Sequence, residues 1–578
     1  MDITDRARAA GIQPEYLDAW GHLRRVDDGI LHKLLAALPE PSDVAAPLSA
    51  DTASRAYEGD FDRVWLLTCQ LYGLRSKRNW GIGNFSDLSS LIDLAAKWGC
   101  AGIGLNPVHA LFDDIAANHS PYSPSSRLFL NTIYIDWEVV EDLPADWGAA
   151  RRDELDRAEA AEFVDYDAVT RLKTGAARDA FASFERLASP ERRASFERFR
   201  QESGRELRYF ACFEALRKQY SGPWWEWPEK WRRPSDALVD ELRSGEHADH
   251  IALAEYKQWI AHEQLTHCQE RAKRNGMAIG LYLDVAVGVQ SGGFDAWFEQ
   301  EAIARSLSVG APPDILNTAG QDWGLSGFFT QGLQSRSFEP LRAIVNRAMR
   351  YSGAIRLDHV LGLQRLYVIP QGASARDGAY IDMPFERMAD VICDESRKHR
   401  CVVIGEDLGT VPDGFRQQMS ERCIFSYTVM MFEQNHDGFI DPSHYRENTL
   451  LTFNTHDLPT FKGWCAAEDI TTKQRINIDP GETLDQRLHS VGKLKQRSNT
   501  DPDRDLVFLD VISILSQSPS RILAISIDDL LGVVQQPNIP GTIDEHPNWR
   551  RKLPSSIDEI GETVDASALR ATLAERCR

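Results

Sequence analysis

Four apolar runs in this 578-residue chain end in a carboxylate. They read Tyr282-Leu283-Asp284, Arg356-Leu357-Asp358-His359, Gly405-Glu406-Asp407 and Asn454-Thr455-His456-Asp457. Carboxylates gathered on one rim can break a glycosidic bond with retention. One attacks the anomeric carbon; a second, about 5 Å away, protonates the leaving oxygen and then activates the acceptor. A third can orient the sugar's hydroxyls as the ring flattens. Side chains at i and i+2 of a strand share a face, so Arg356 falls beside Asp358, and its fixed charge favours the ionised form that a nucleophile requires. Glu406 has the opposite task. It must hold a proton near neutral pH, and crowding by Asp358 and Asp457 pushes it that way. Each residue also has a plainer use. A strand-terminal Asp caps the next helix, a His beside an Asp forms a structural pair, and Asp with His is the material of metal sites. Pattern alone leaves two readings open: a carbohydrate-active barrel and a metal-dependent hydrolase.

A scaffold must hold these ends together, and the chain from residue 62 supplies one. Eight β-rich runs alternate with helical segments: Val64–Gln70, Gly102–Val108, Ala278–Val285, Ala354–Asp358, Cys401–Asp407, Phe425–Phe432, Leu450–Asp457 and Ile522–Asp528. Runs this apolar suit strands covered on both faces, hence a parallel sheet. Strand and helix alternating eight times give an α/β fold, a (β/α)₈ TIM barrel whose strand C-termini carry function. After the first run, Asp87 is expected to cap a helix with Leu88, Leu91, Ile92, Ala95 and Trp98 on one face. About 170 residues separate the second and third runs, and about 70 the third and fourth, more than a crossover needs. Large helical insertions are expected there, at about 138–275 and 298–350, with Trp224, Trp225 and Trp227 in the core of the first. Residues 1–58 are expected to hold two or three short helices and a linker at Pro39–Thr52, leaving 59–578 as the barrel.

Composition narrows the partners. The formal net charge of −21 speaks against nucleic acid, whose phosphates call for clustered Lys and Arg. The 15 Trp fit either buried core or sugar stacking. The nine Cys are scattered without a CxxC, as reduced thiols and not as a disulfide frame or zinc site. The N-terminus, Met1-Asp2-Ile3-Thr4-Asp5-Arg6, has no apolar leader, and no stretch of 18 apolar residues occurs. A cytoplasmic protein without a membrane partner is expected.

Further motifs carry a resemblance. SKRNWGIGNFSDL spans 76–88, SPYSPSSRLFLN 120–131, DVAVGVQSGGFDAW 284–297 and GAPPDILNTAGQDWGL 310–325. IRLDHVLG follows at 355–362, GEDLGTVP at 405–412, FNTHD at 453–457, NIPGT from 538 and NWRRKL at 548–553. In this order and spacing the chain, from about 62 to 555, resembles the amylomaltases, or disproportionating enzymes, of glycoside hydrolase family 77 in the α-amylase-like superfamily. The resemblance implies a 4-α-glucanotransferase. It gives Asp358 as nucleophile, Glu406 as general acid/base and Asp457 as the carboxylate that stabilises the transition state. It implies that Tyr122 is the platform under the sugar, with Asp284, Arg356, His359 and His456 beside the reacting centre. Gln321 and Trp323 belong to a long loop over the site, and Asn538 to the loop after the eighth strand. No cofactor and no metal are implied, and the partners are α-1,4-glucans as donor and acceptor. Leu458 departs from the polar residue that some relatives carry after the third carboxylate. A plain α-glucan hydrolase would use the same carboxylates; a silent glucan-binding protein would not need all three. Oligomeric state is not set by these motifs.

Overall fold

The computed structural model describes residues 2–38, 54–113, 119–314, 317–498, 500–501 and 503–576. Eight parallel strands form one sheet: β1 (Val64–Cys69), β2 (Gly102–Leu105), β3 (Gly280–Val285), β4 (Ala354–Leu357), β5 (Val402–Gly405), β6 (Ser426–Val429), β7 (Thr449–Thr452) and β8 (Ile522–Ser526). Their order is β5-β4-β3-β2-β1-β8-β7-β6, and a parallel bridge between Ile404 and Phe425 joins the two ends. The eight runs read from sequence are these eight strands, and the (β/α)₈ barrel follows.

Alternation along each strand decides what faces inward. Leu66, Ala101, Ile279, Tyr282, Ala354, Val402, Ile404, Tyr427, Leu450 and Ile522 form a separate apolar cluster, which fills the barrel. Trp65, Leu67, Leu281, Ile355, Val403 and Leu523 belong instead to the large core under the helices. Continuing the inward phase by two residues from Tyr282, Ala354 and Ile404 reaches Asp284, Arg356 and Glu406. The apolar plug therefore sets the direction of the polar rim above it.

The helix Phe85–Lys97 buries Leu88, Leu91, Ile92 and Ala95. Its N-cap is Asn84, not Asp87; Asp87 occupies the third helical position and reaches back to the Asn84 N–H, completing a capping box. The amides of Ser86, Asp87 and Asn84 are all satisfied this way.

The insertion between β2 and β3 is helical, built on Tyr166–Leu187, Pro190–Gln219 and Ala248–Arg274. Trp224 and Trp227 are buried in it, while Trp225 is partly exposed. The β3–β4 insertion is mixed. It contains the helix Glu339–Arg350 and also the strands Val289–Gln290, Leu307–Ala311 and Gln321–Ser326. With Arg365–Pro370 and Ala379–Asp382, which follow β4, these make a five-stranded antiparallel sheet.

The N-terminal segment holds two helices, Ile3–Ala9 and Asp28–Ala37, with a hairpin between them pairing Glu15–Leu17 with Leu23–Arg25. Asp18 makes the hairpin turn, accepting from the Trp20 and His22 amides. The segment is docked: Ile12 bridges Ile381, the Gln13 amide donates to the Tyr380 carbonyl at 2.8 Å, and Tyr16 packs edge-on against Tyr367 and Tyr380. The expected linker Pro39–Thr52 lies outside the described residues. Among the described residues no helix is long and apolar enough to cross a membrane.

Candidate active site

Parallel register puts Arg356 of β4 level with Asp284 of β3. Its guanidinium meets both Asp284 oxygens, at 2.9 and 2.8 Å, and an Asp358 oxygen at 2.8 Å. Its other terminal nitrogen stands 3.9 Å from Glu406. One buried cation thus ties together carboxylates from three adjacent strands.

Glu406 follows β5 directly. Its Oε2 accepts from the His359 amide at 3.0 Å and its Oε1 from the Leu408 amide at 2.8 Å. His359 adopts φ +48°, a left-handed conformation, and its amide is the one that meets Glu406. Glu406 is 8% exposed, and its carboxyl is pushed up to about 7. Burial is the main cause and the Asp358 charge adds to it, while Arg356 and the two amides oppose. The upward direction matches the expectation from crowding, with two corrections. Desolvation leads, and the carboxylate that contributes is Asp358, whereas Asp457 is engaged elsewhere.

Asp457 follows β7 and accepts from Asn538 Nδ2 at 2.6 Å; His456 Nε2 lies 3.4 Å away. Burial raises its pKa, but the neighbouring His456 and the Asn538 amide outweigh burial and hold it below the ordinary carboxylate range. Burial likewise opposes the charged form of His456, and Asp457 more than compensates, so its pKa is raised. Tyr122 joins the two halves. Its hydroxyl is 2.6 Å from Asp284 Oδ2 and 3.1 Å from His456 Nδ1, and its ring stacks on His456 at 4.5 Å. With the tyrosyl O–H donating to Asp284, the tyrosyl oxygen is left to accept from His456 Nδ1, in keeping with an imidazolium.

At the other edge, the Trp323 ring meets the His359 ring edge-on at 5.2 Å, and its indole N–H donates to Gln321 Oε1 at 3.3 Å. All eleven residues singled out from the sequence therefore lie on one connected surface. Asn454 does not take part through its amide, which donates to the Pro459 carbonyl and closes the turn. Asp407 is likewise structural, accepting from Arg416 and from the Tyr427 amide.

The cavity here has about 750 Å³ of empty space. Its lining includes Tyr122, Asp284, Arg356 and His456 together with Thr68, Gln70, Asn106, Asp528 and Leu458; of the four strand-end carboxylates it takes in Asp284. A second space of comparable size, about 850 Å³, lies beside Asp113 and Lys257 and includes none of the four strand-end carboxylates. Size alone does not find the site. Two residues at the site have no role in the sequence reading. Trp549 lies 5.4 Å from both Tyr122 and His456, and Gln536 donates to the Asn538 carbonyl at 2.6 Å. NWRRKL was visible as a motif, but nothing in it indicates which rings Trp549 meets. Among the described residues, no three His, Cys, Asp or Glu side chains are grouped to hold a metal ion.

A family model described as 4-alpha-glucanotransferase, glycoside hydrolase family 77, matches residues 69–557. The chain belongs to this family. It is therefore an enzyme of the 4-alpha-glucanotransferase class. It is 34% identical over 536 residues to the 4-alpha-glucanotransferase of Haemophilus influenzae, covering 85% of this chain and 75% of that protein. A Mycobacterium bovis 4-alpha-glucanotransferase is 34% identical over 546 residues, covering 89% and 75%. The fold is that of the amylomaltase from Corynebacterium glutamicum, with TM-score 0.84, 24% identity and coverage of 100% and 99%. An amylomaltase from Streptococcus agalactiae, solved with acarbose, superposes with TM-score 0.74 at 19% identity, over 89% and 99% of the two chains. The span matched to the 4-alpha-glucanotransferase family contains all eleven residues singled out from the sequence; the N-terminal segment precedes it.

Proposed function

We propose that the protein is a retaining transglycosylase that moves α-1,4-glucan segments between maltooligosaccharides through a covalent glycosyl-Asp358 intermediate. The observation that carries this reading is the division of labour around Arg356. Asp358 is ion-paired with it at 2.8 Å, while Glu406, 3.9 Å from the same side chain, is buried and held up at about 7. An anion beside a protonated acid is what a double displacement requires.

In the first step Asp358 attacks the anomeric carbon as Glu406 protonates the departing glycosidic oxygen. Asp457, steadied by Asn538 and His456, takes the hydroxyls of the flattened ring. Tyr122 is the platform under the sugar, with Asp284 on the rim beside it, and Gln321 and Trp323 cover the site from their loop, with His359 close by. Glu406, now a carboxylate, accepts the proton of an incoming 4-hydroxyl, which attacks carbon and releases Asp358. Family membership favours sugar over water as acceptor, and the acarbose complex of the Streptococcus agalactiae relative supports an α-glucan as ligand. The scattered thiols fit action in the cytoplasm.

Maltotriose as sole substrate tests the reading. Glucose together with a ladder of longer maltooligosaccharides is expected on chromatography. Glucose and maltose alone would make the enzyme a hydrolase.

A further inference from the structure

Trp549 belongs to the segment after β8 that also carries Asn538 and Gln536. It is 6% exposed, yet its ring stands 5.4 Å from Tyr122, tilted 43°, and 5.4 Å from His456, tilted 49°. Tyr122 and His456 are themselves stacked at 4.5 Å, so the three rings form one closed cluster. The hydroxyl projecting from this cluster binds Asp284, which is held by the same Arg356 that meets Asp358.

The backbone at Trp549 has φ +58°, a conformation bulky residues rarely adopt unless their surroundings enforce it. Here they do. The Trp549 amide donates to the Pro537 carbonyl at 3.1 Å, and its carbonyl accepts from the Tyr166 hydroxyl at 2.7 Å. Its neighbours are fixed as well: Asn548 Oδ1 accepts from the Ile539 amide, and the Arg550 carbonyl from the Val164 amide at 2.7 Å. Tyr166 and Val164 come from the helical insertion. The insertion therefore clamps a loop that presses an indole against the Tyr122–His456 stack from outside.

We propose that Trp549 is a positioning residue for the glucanotransferase reaction: it holds the Tyr122 hydroxyl on Asp284 and the His456 imidazole on Asp457 without touching the sugar. The inference rests on the function proposed above. A displacement of about 1 Å in such a constellation costs on the order of 10²-fold in rate. Trp549→Ala is therefore expected to lower kcat on maltotriose about 100-fold while KM stays within about threefold. Trp549→Phe keeps a ring in the same place and should recover most of kcat. In a Tyr122→Ala background, Trp549→Ala should cost less than in the unsubstituted protein, because only its hold on His456 remains.

A crystal structure of Trp549→Ala gives a readout independent of turnover. Tyr122 and His456 should be displaced from Asp284 and Asp457. Unmoved rings, an unchanged kcat, or a loss confined to KM would overturn the proposal. Should the Ala variant fail to fold, Tyr166→Phe removes only the hydroxyl that pins the Trp549 carbonyl. The same kcat-directed loss, about tenfold, is expected there, and an unchanged kcat would overturn the clamp. If the unsubstituted protein makes no ladder from maltotriose, the functional reading fails by itself, and the crystal structure of the variant still decides whether Trp549 positions the two rings.

Discussion

Replacing Glu406 by Gln removes a titration that burial has displaced upward. The carboxyl is 8% exposed and moves from an ordinary 4.5 to about 7. At roughly 1.36 kcal/mol per unit, the native state prefers the protonated form by about 3 kcal/mol. Because the folded pKa lies above the unfolded one, this stabilisation is fully present below about pH 4.5 and is lost as pH rises through about 7. The Gln variant has nothing to lose over that window. Its unfolding free energy relative to the unsubstituted protein should therefore rise by up to about 3 kcal/mol from pH 5 to pH 8, then level off. The absolute difference carries no weight, since Gln offers one acceptor to two amides, those of His359 and Leu408. Urea unfolding of both proteins across that range reads the change. The kinetic counterpart is an alkaline limb in kcat/KM for maltotriose near pH 7. It should fade with a glucosyl fluoride, whose leaving group needs little acid. A stability difference flat in pH, or an unchanged limb with the fluoride, would refute the assignment of Glu406 as the buried acid.

Glu406→Gln given glucosyl fluoride should stall as a glycosyl-enzyme, and mass spectrometry should find the adduct within Ile355–Gly362. Asp358→Asn should form none, and an adduct on Asp284 or Asp457 would exchange the roles. Asn538→Ala deletes the 2.6 Å bond to Asp457. A hydrogen bond to a charge is worth about 1.5–3 kcal/mol, so kcat/KM should fall about 10- to 150-fold. The acid limb should move to higher pH, because the Asp457 pKa loses a group that lowers it. Removing residues 1–38 uncovers Tyr380 and Ile381 on the edge strand Ala379–Asp382 and Tyr367 beside them, all now buried. Aggregation or a lower melting temperature is expected, and a soluble truncated protein with unchanged melting would show the segment to be dispensable.

The barrel was legible because the runs are largely apolar and most end at or beside Gly, Asn, Asp or His. Several runs overshoot at their C-terminal ends, since some loops begin with residues as buried as the strands. Asn106–Val108, for instance, lie beyond β2 and are buried like it. The i, i+2 rule placed Arg356 beside Asp358, yet the equal partnership of Arg356 with Asp284 depends on register between neighbouring strands. No single run contains that information. The five-stranded sheet was hidden for a related reason. Its strands come from both sides of β4, and one of them, Val289–Gln290, is two residues long. Hydrophobic periodicity has nothing to report over two residues. Trp549 could be seen as part of a motif, but its partners Tyr122 and His456 are distant in sequence.

Gln13 meets Asp382 across 369 positions of chain. At about 5–20 residues per second, a ribosome needs roughly 20–70 s to travel that distance. For all of that time Ile12 and Tyr16 have no sheet to rest on. One edge of β1 pairs early with β2, but the other waits longer still, because its partner is β8, whose residues lie between 522 and 526. Ile12, Tyr16 and one edge of β1 thus stay unpartnered until segments hundreds of residues further on have been made, and the nascent chain is a natural client for whatever shields apolar segments at the tunnel exit.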